Sequence, residues 1–264
     1  METGISTASL FTRYKTEDAI RFLSDNNVKS AEVFLESYCE YDKKFGKLIN
    51  KRKGSTDIHS VHVLTTQYEP QLYSINERAQ ADSFNMLKRA MSAAEAFGAK
   101  YYTFHGVAKY KRVPYVPDYD RLGIITQKII GTCKKYKITL ALENVHWCFY
   151  NQQGFFSEIK KRTDGLKGTL DIKQARQAEI DCFDLIDEMK DDIVTVHLSD
   201  IDQNGKMCLP GKGVTDFYEL FARLNAVGFN GALLIEAYGG DYKKESELFE
   251  SLDFINEVAA RAFK

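Results

Sequence analysis

Four residues that lie far apart in the chain, Glu143, Asp171, His197 and Glu236, are of the types that hold a divalent cation and move a proton. Each closes a short apolar run: Ile138-Thr-Leu-Ala-Leu-Glu143, Leu166-Lys-Gly-Thr-Leu-Asp171, Ile193-Val-Thr-Val-His197 and Ala232-Leu-Leu-Ile-Glu236. Side chains alternate between the faces of a strand, so Thr139, Ala141 and Glu143 share one side while Ile138, Leu140 and Leu142 share the other. The same parity pairs Thr169 with Asp171 and Thr195 with His197, and in the earlier run Tyr101-Tyr-Thr-Phe-His105 it pairs Thr103 with His105. This donor set favours a hard or borderline divalent ion, Mn²⁺ or Mg²⁺ ahead of a thiolate-loving one, with Co²⁺ and Zn²⁺ also accommodated. Such an ion could hold two neighbouring oxygens of a hydroxy-ketone and stabilise the charge of an enediolate. Glu143 and Glu236, arriving from different strands, would then stand on opposite sides of the substrate carbon. One would remove a proton and the other return it.

Polar groups at successive strand ends converge only where parallel strands curl round a common axis. That arrangement is the (β/α)8 TIM barrel with its site at the C-terminal rim, an α/β fold. The 264 residues suit one such domain over 1–264, since about 250 is typical. Eight strand–helix units can be counted. They begin with a β-prone run from Gly4 to Phe11 and a helix capped by Thr16, followed by a strand from Ser30 to Glu36 and a helix from about Tyr41 to Arg52. A third strand from Ile58 to Leu64 turns His62 and Ser60 inward if Val61 and Val63 face the helices. Ser74-Ile-Asn-Glu77 reads as a capping box for a helix ending at Phe97, with Gly98 beyond it. Helices are expected over about Tyr119–Lys135 and Gln177–Met189, from a Thr215 cap, and over about Lys243–Ala260. The irregular segment with Pro114 and Pro117 is a candidate lid.

An isolated Glu or Asp at a strand end is more often a solvated or capping group than a ligand. Four at matching parity on consecutive strands are harder to obtain by accident. His62 and His105 are open between core histidine and substrate contact. Trp147, Phe11 and Tyr68 are open between packing and an aromatic wall for a sugar face, and His146 belongs to the loop. Pro210-Gly-Lys-Gly213 does not match the nucleotide P-loop pattern. The charge balance, 36 basic against 37 acidic residues for a net charge of −1, disfavours nucleic acid as a partner, and the basic clusters Lys51-Arg-Lys53 and Lys109-Tyr-Lys-Arg112 read as solvated faces. No apolar run suits a membrane span. Met1-Glu-Thr-Gly-Ile5 lacks a secretory pattern, and the five scattered cysteines read as reduced thiols, so a cytoplasmic location is expected.

The residues resemble the sugar phosphate isomerase/epimerase family, the xylose isomerase-like TIM barrels that also include endonuclease IV. The resemblance is carried by Leu140-Ala-Leu-Glu-Asn144, Gly168-Thr-Leu-Asp171, Val196-His-Leu-Ser-Asp200, Leu209-Pro-Gly-Lys-Gly-Val214 and Leu234-Ile-Glu236. It implies that Glu143, Asp171, His197 and Glu236 are the metal ligands of a ketose-epimerase-like enzyme and that the two glutamates are its acid–base pair. Two positions depart from the family pattern: Gln174 stands where a histidine often follows the aspartate, and Gln203 where epimerases often carry an arginine. Gln174 and Lys173 are accordingly candidates to contact a different sugar. A keto-inositol dehydratase-type lyase, an endonuclease and a sugar-binding relative without turnover stay open as alternatives. So does a homodimer, a common state of barrel enzymes.

Overall fold

In a computed structural model that describes residues 1–64, 67–109 and 116–263, the strands form a closed barrel. These are β1 (Glu2–Ser6), β2 (Ser30–Leu35), β3 (Asp57–Val63), β4 (Tyr101–Phe104), β5 (Thr139–Glu143), β6 (Lys167–Asp171), β7 (Ile193–Leu198) and, after a small antiparallel pair β8 (Asp200–Ile201) and β9 (Met207–Cys208), β10 (Ala232–Ile235). The barrel order is β1-β10-β7-β6-β5-β4-β3-β2 and every neighbouring pair is parallel. Pairing of β1 with both β2 and β10 shuts the ring, as the sequence predicts.

The helices form the outer layer: α1 (Thr16–Asp25), α2 (Lys43–Arg52), α3 (Glu77–Phe97), α4 (Tyr119–Lys134), α5 (Phe155–Lys160), α6 (Ile172–Gln177), α7 (Cys182–Met189), α8 (Phe217–Ala226) and α9 (Ser246–Ala262). Between the layers sits the apolar core, with Val61, Val63, Leu140 and Leu142 all buried on the outward strand faces. Each such side chain contributes about 1.5–3 kcal/mol when fully withdrawn from water. Among the described residues, no helix is long and apolar enough to cross a membrane.

Several local expectations are corrected. The first strand ends at Ser6, and Thr7–Leu10 turn as a 3-10 helix, because Ser6 Oγ accepts from the Ala8 N–H and starts a turn. Thr16 is the first helical residue rather than the cap, and its hydroxyl donates instead to Phe34 O and Glu40 Oε1. Asn76, not Ser74, caps α3, its Oδ1 accepting from the N–H of Arg78 and of Ala79. Gly98 closes α3 at φ 83°, the left-handed geometry glycine adopts without strain. The helix expected over Gln177–Met189 is two short helices, since Asp171 caps α6 and Asp181 caps α7. Asp216 rather than Thr215 caps α8. The proposed lid lies partly outside the described residues, at 110–115, as do residues 110–112 of the second basic cluster.

A register shift between Ala31 and Glu32 gives β3 an additional residue against β2. Such an irregularity re-aims side chains that strict alternation would separate. His59 therefore also reaches inward, its Nε2 lying 2.9 Å from Thr195 Oγ1 and 3.0 Å from Val194 O.

Candidate metal centre

The ladder puts the four site candidates side by side. Asp171 and His197 are register partners across β6 and β7, Glu143 pairs with Thr169 two residues before Asp171, and Leu234, two residues before Glu236, pairs with His197. Even spacing keeps all four on the inner face at the C-terminal ends of the strands. His197 Nδ1 lies 2.9 Å from Glu143 Oε1, 3.2 Å from Glu236 Oε2 and 4.0 Å from Asp171 Oδ2. The donor atoms of Glu143, Asp171 and His197 lie within 4.8 Å of one another, as do those of His62, His105 and Glu143 and those of Glu32, His62 and Glu236.

Hydrogen bonds fix the individual side-chain oxygens. Asp171 Oδ1 accepts the Gln174 N–H at 2.8 Å, which starts α6 and leaves Oδ2 facing His197. The Asn144 side chain clamps the Asp171 backbone in both directions, donating to its carbonyl and accepting from its N–H, each at 2.8 Å. Glu143 Oε2 and Glu236 Oε2 are buried beside imidazole nitrogens, at 2.9 Å from His105 Nε2 and 3.2 Å from His197 Nδ1. Buried carboxylate oxygens gathered beside imidazole nitrogens suit a divalent cation.

Electrostatics lead to the same chemistry. Burial alone would lower the basicity of His197, yet Glu236, Glu32 and Glu143 raise it well above the ordinary histidine value. Burial alone would raise Glu143 and Glu32, but His197, joined by His105 at Glu143 and by His62 at Glu32, outweighs it and holds both below the usual carboxylate range. Asp171 is pushed up to about 6 by burial, against the pull of Lys173 and with a further push from Glu143. A cluster whose negative potential draws a proton onto a buried imidazole also attracts a cation in its place.

Two buried acids that the sequence reading did not single out stand behind the histidines. Glu32, on β2, lies 3.3 Å from His197 Nε2 and 3.6 Å from His62 Nδ1. Glu69 lies 3.4 Å from His105 Nδ1 and accepts from the His105 N–H and the Tyr102 hydroxyl. Burial pushes the Glu69 carboxyl up to about 8. Parity along Ser30-Ala-Glu32 offered a signal for Glu32. Glu69, in a 3-10 turn, gave none.

His62 and His105 reach the cluster. Their Nε2 atoms stand 3.0 Å apart, and His105 Nε2 is 2.9 Å from Glu143 Oε2. Both line a cleft of about 190 Å³ together with Glu143, Glu236, Gln174, Phe11, Phe34, Trp147 and Tyr238. Trp147 sits on the cleft wall with its ring 5.7 Å from that of His105. Gln174 lines the cleft, and its Oε1 accepts the His146 N–H and lies 2.6 Å from His146 Nδ1. Lys173 is placed differently: it is 1% exposed, its Nζ lies 4.0 Å from Asp171 Oδ2 and 3.9 Å over the Tyr238 ring, and it has no hydrogen-bond partner among the described residues. Tyr68 packs in the core, hydrogen-bonded to Tyr102.

Other polar candidates lie outside the cluster. Asp200 is consumed by the following loop, its carboxylate accepting the N–H groups of Ile201, Gly211, Gly213 and Thr215. The glycine loop therefore turns its amides onto an internal carboxylate rather than a phosphate. Burial pushes the Cys148 thiol up and that of Cys208 up to about 11, which keeps both protonated.

Comparison with known proteins follows the geometry. The family model for the xylose isomerase-like TIM barrel matches residues 20–258. No curated protein sequence matches. Among solved structures, a D-tagatose 3-epimerase-like protein superposes with a TM-score of 0.80 at 18% identity, covering 99% of this chain and 98% of its own. The 3-keto-D-glucoside 4-epimerase YcjR from E. coli gives 0.75 at 15% identity, covering 97% and 99%. The IOLI protein with a binding zinc atom gives 0.76 at 14%, covering 100% and 98%.

Proposed function

From the premise that the chain belongs to the xylose isomerase-like TIM barrel family, we propose that it is a divalent-metal-dependent sugar isomerase or epimerase. The observation that carries the reading is the convergence of Glu143 and Glu236 on His197 Nδ1, at 2.9 and 3.2 Å, from strand ends on either side of β7 and β6. Glu143, Asp171, His197 and Glu236 would hold the cation, Mn²⁺ or Mg²⁺ by the chemistry of the donors. The bound ion would stabilise the negative charge that develops beside a carbonyl when a neighbouring carbon loses its proton.

The residues perform the remaining work. Glu143, held ionised, accepts a proton from the carbon next to the carbonyl, and Glu236 delivers one from the other side. His62 and His105 border the cleft where substrate hydroxyls would lie, and Trp147, Phe11 and Phe34 supply an apolar wall for a sugar face.

Solvent deuterium exchange into candidate ketoses with added Mn²⁺ tests the reading. Exchange is expected with the wild-type protein and is expected to fall by about a thousandfold or more in Glu143→Gln and Glu236→Gln with folding retained. Unchanged exchange in these variants would refute the acid–base pair. Product mass separates isomerisation from the loss of water that a dehydratase would cause.

The second donor group, His62, His105 and Glu143, favours one alternative, a zinc phosphodiesterase of the endonuclease kind. Gln174 stands against it, because a carboxamide occupies a position where that chemistry calls for another imidazole. Two tightly held ions per chain together with cleavage of an abasic duplex would establish this alternative.

A further inference from the structure

At the Nε2 of His197, whose Nδ1 faces Glu143 and Glu236, Glu32 is wholly enclosed within the barrel. Its placement is held by neighbours on both sides of β2. Ser6 Oγ of β1 donates to Oε1 at 3.0 Å, while Ser60 Oγ of β3 and Thr103 Oγ1 of β4 donate to Oε2 at 2.7 and 2.6 Å. Three hydroxyl donors satisfy and immobilise a carboxylate that would otherwise be too costly to bury.

His197 Nε2 and His62 Nδ1 are buried and make no hydrogen bond among the described residues. The nearest carboxylate oxygen to each is Glu32 Oε1, at 3.3 and 3.6 Å. A neutral imidazole has one N–H and one lone pair, and the partner of the first decides where the second points. We propose that Glu32 is a positioning residue that holds the His197 proton on Nε2, so that the Nδ1 lone pair faces Glu143, Asp171 and Glu236 and is ready for a cation. A direct ligand role for Glu32 is disfavoured because both of its oxygens already accept from hydroxyls.

The inference rests on the reading that the cluster holds a divalent ion, and its test keeps the two separable. Mn²⁺ binding is measured by electron paramagnetic resonance of the free ion, for wild type, Glu32→Ala and Glu32→Gln, with circular dichroism confirming the fold of each. In parallel, ¹H–¹⁵N correlation spectra of the Mg²⁺-loaded proteins read the His197 Nε2–H resonance, its downfield shift and its protection from solvent exchange. Glu32→Ala is expected to weaken Mn²⁺ binding about 10–100-fold and to move the Nε2–H resonance upfield with faster solvent exchange. Glu32→Gln keeps an oxygen facing Nε2, so it is expected to recover most of that loss. Wild-type affinity in Glu32→Ala, an unchanged His197 Nε2–H resonance there, or Glu32→Gln as weak as Glu32→Ala would each overturn the positioning role while leaving the cation reading intact. Failure of the wild-type protein to take up Mn²⁺ would overturn the cation reading, and the inference with it.

Discussion

His62 Nε2 and His105 Nε2 stand 3.0 Å apart although 43 positions separate the residues in the chain. Two ring nitrogens this close share a proton or a cation. In a sugar isomerase the pair would border the substrate rather than complete the metal centre. His62→Ala and His105→Ala are therefore expected to lower kcat/KM by about 10–100-fold while metal analysis still finds a single ion per chain. A fall from two ions to one on either substitution would instead make the pair a ligand site.

Lys173 is a buried ammonium held between the Asp171 carboxylate and the Tyr238 ring. Burial and the nearby carboxylates push Asp171 up to about 6 even with this cation pulling it down. A proton and a divalent ion compete for the same carboxylate, so apparent metal affinity should weaken as pH falls through that value. In Lys173→Met the pull is lost, and the weakening should set in at higher pH. Metal titrations at pH 6 and pH 8 check this: the variant should lose roughly tenfold more affinity than wild type at the lower pH, one pKa unit being a factor of ten, and approach wild type at the higher. Equal ratios at both values would remove Lys173 from the account of the site.

Glu69 offers a pH signature of stability. Burial pushes its folded carboxyl up from 4.5 to about 8, so the folded state binds a proton more tightly than the unfolded chain. The contribution is complete below pH 4.5 and is lost as pH rises through about 8. Glu69→Gln keeps the shape and stays neutral at every pH. Urea unfolding should show wild-type stability declining between these limits by on the order of a few kcal/mol, with that decline absent in the variant.

The four-residue cluster was readable because strand parity is a local property and each residue ended its own apolar run. The pattern Ile138 to Glu143 announced both a strand and the face on which its carboxylate sits, and the barrel did the rest. Glu32 was harder to see, since a glutamate alternating with apolar residues in Ser30 to Leu35 reads equally as the wet face of an amphipathic strand. Only closure of β1 onto β2 and β10 turns that face inward. The additional residue in β3 that brings His59 inside depends on pairing with β2, and no single strand encodes it. Asn144 was quoted only as part of a motif. Its clamp on the Asp171 backbone links β5 to β6 across 27 positions, a relationship no spacing rule anticipates.

The buried Asp200 carboxylate draws the loop after β7 around itself. A ligand would be expected to turn toward the cluster, but Asp200 spends its two oxygens on four backbone N–H groups between Ile201 and Thr215. Gly213 makes that wrapping feasible: a Cβ there would stand 2.2 Å from Ile201 O and 2.5 Å from Asp200 Oδ1. Gly213→Ala must therefore push backbone apart, and Asp200→Ala leaves four part-buried N–H donors without their acceptor at once. Each substitution should cost about 2–4 kcal/mol in unfolding free energy, read by thermal or denaturant melts. Mn²⁺ stoichiometry in the folded Asp200→Ala protein should stay at the wild-type value, because the carboxylate shapes the rim without touching the ion. Loss of bound Mn²⁺ with stability preserved would make Asp200 a ligand after all.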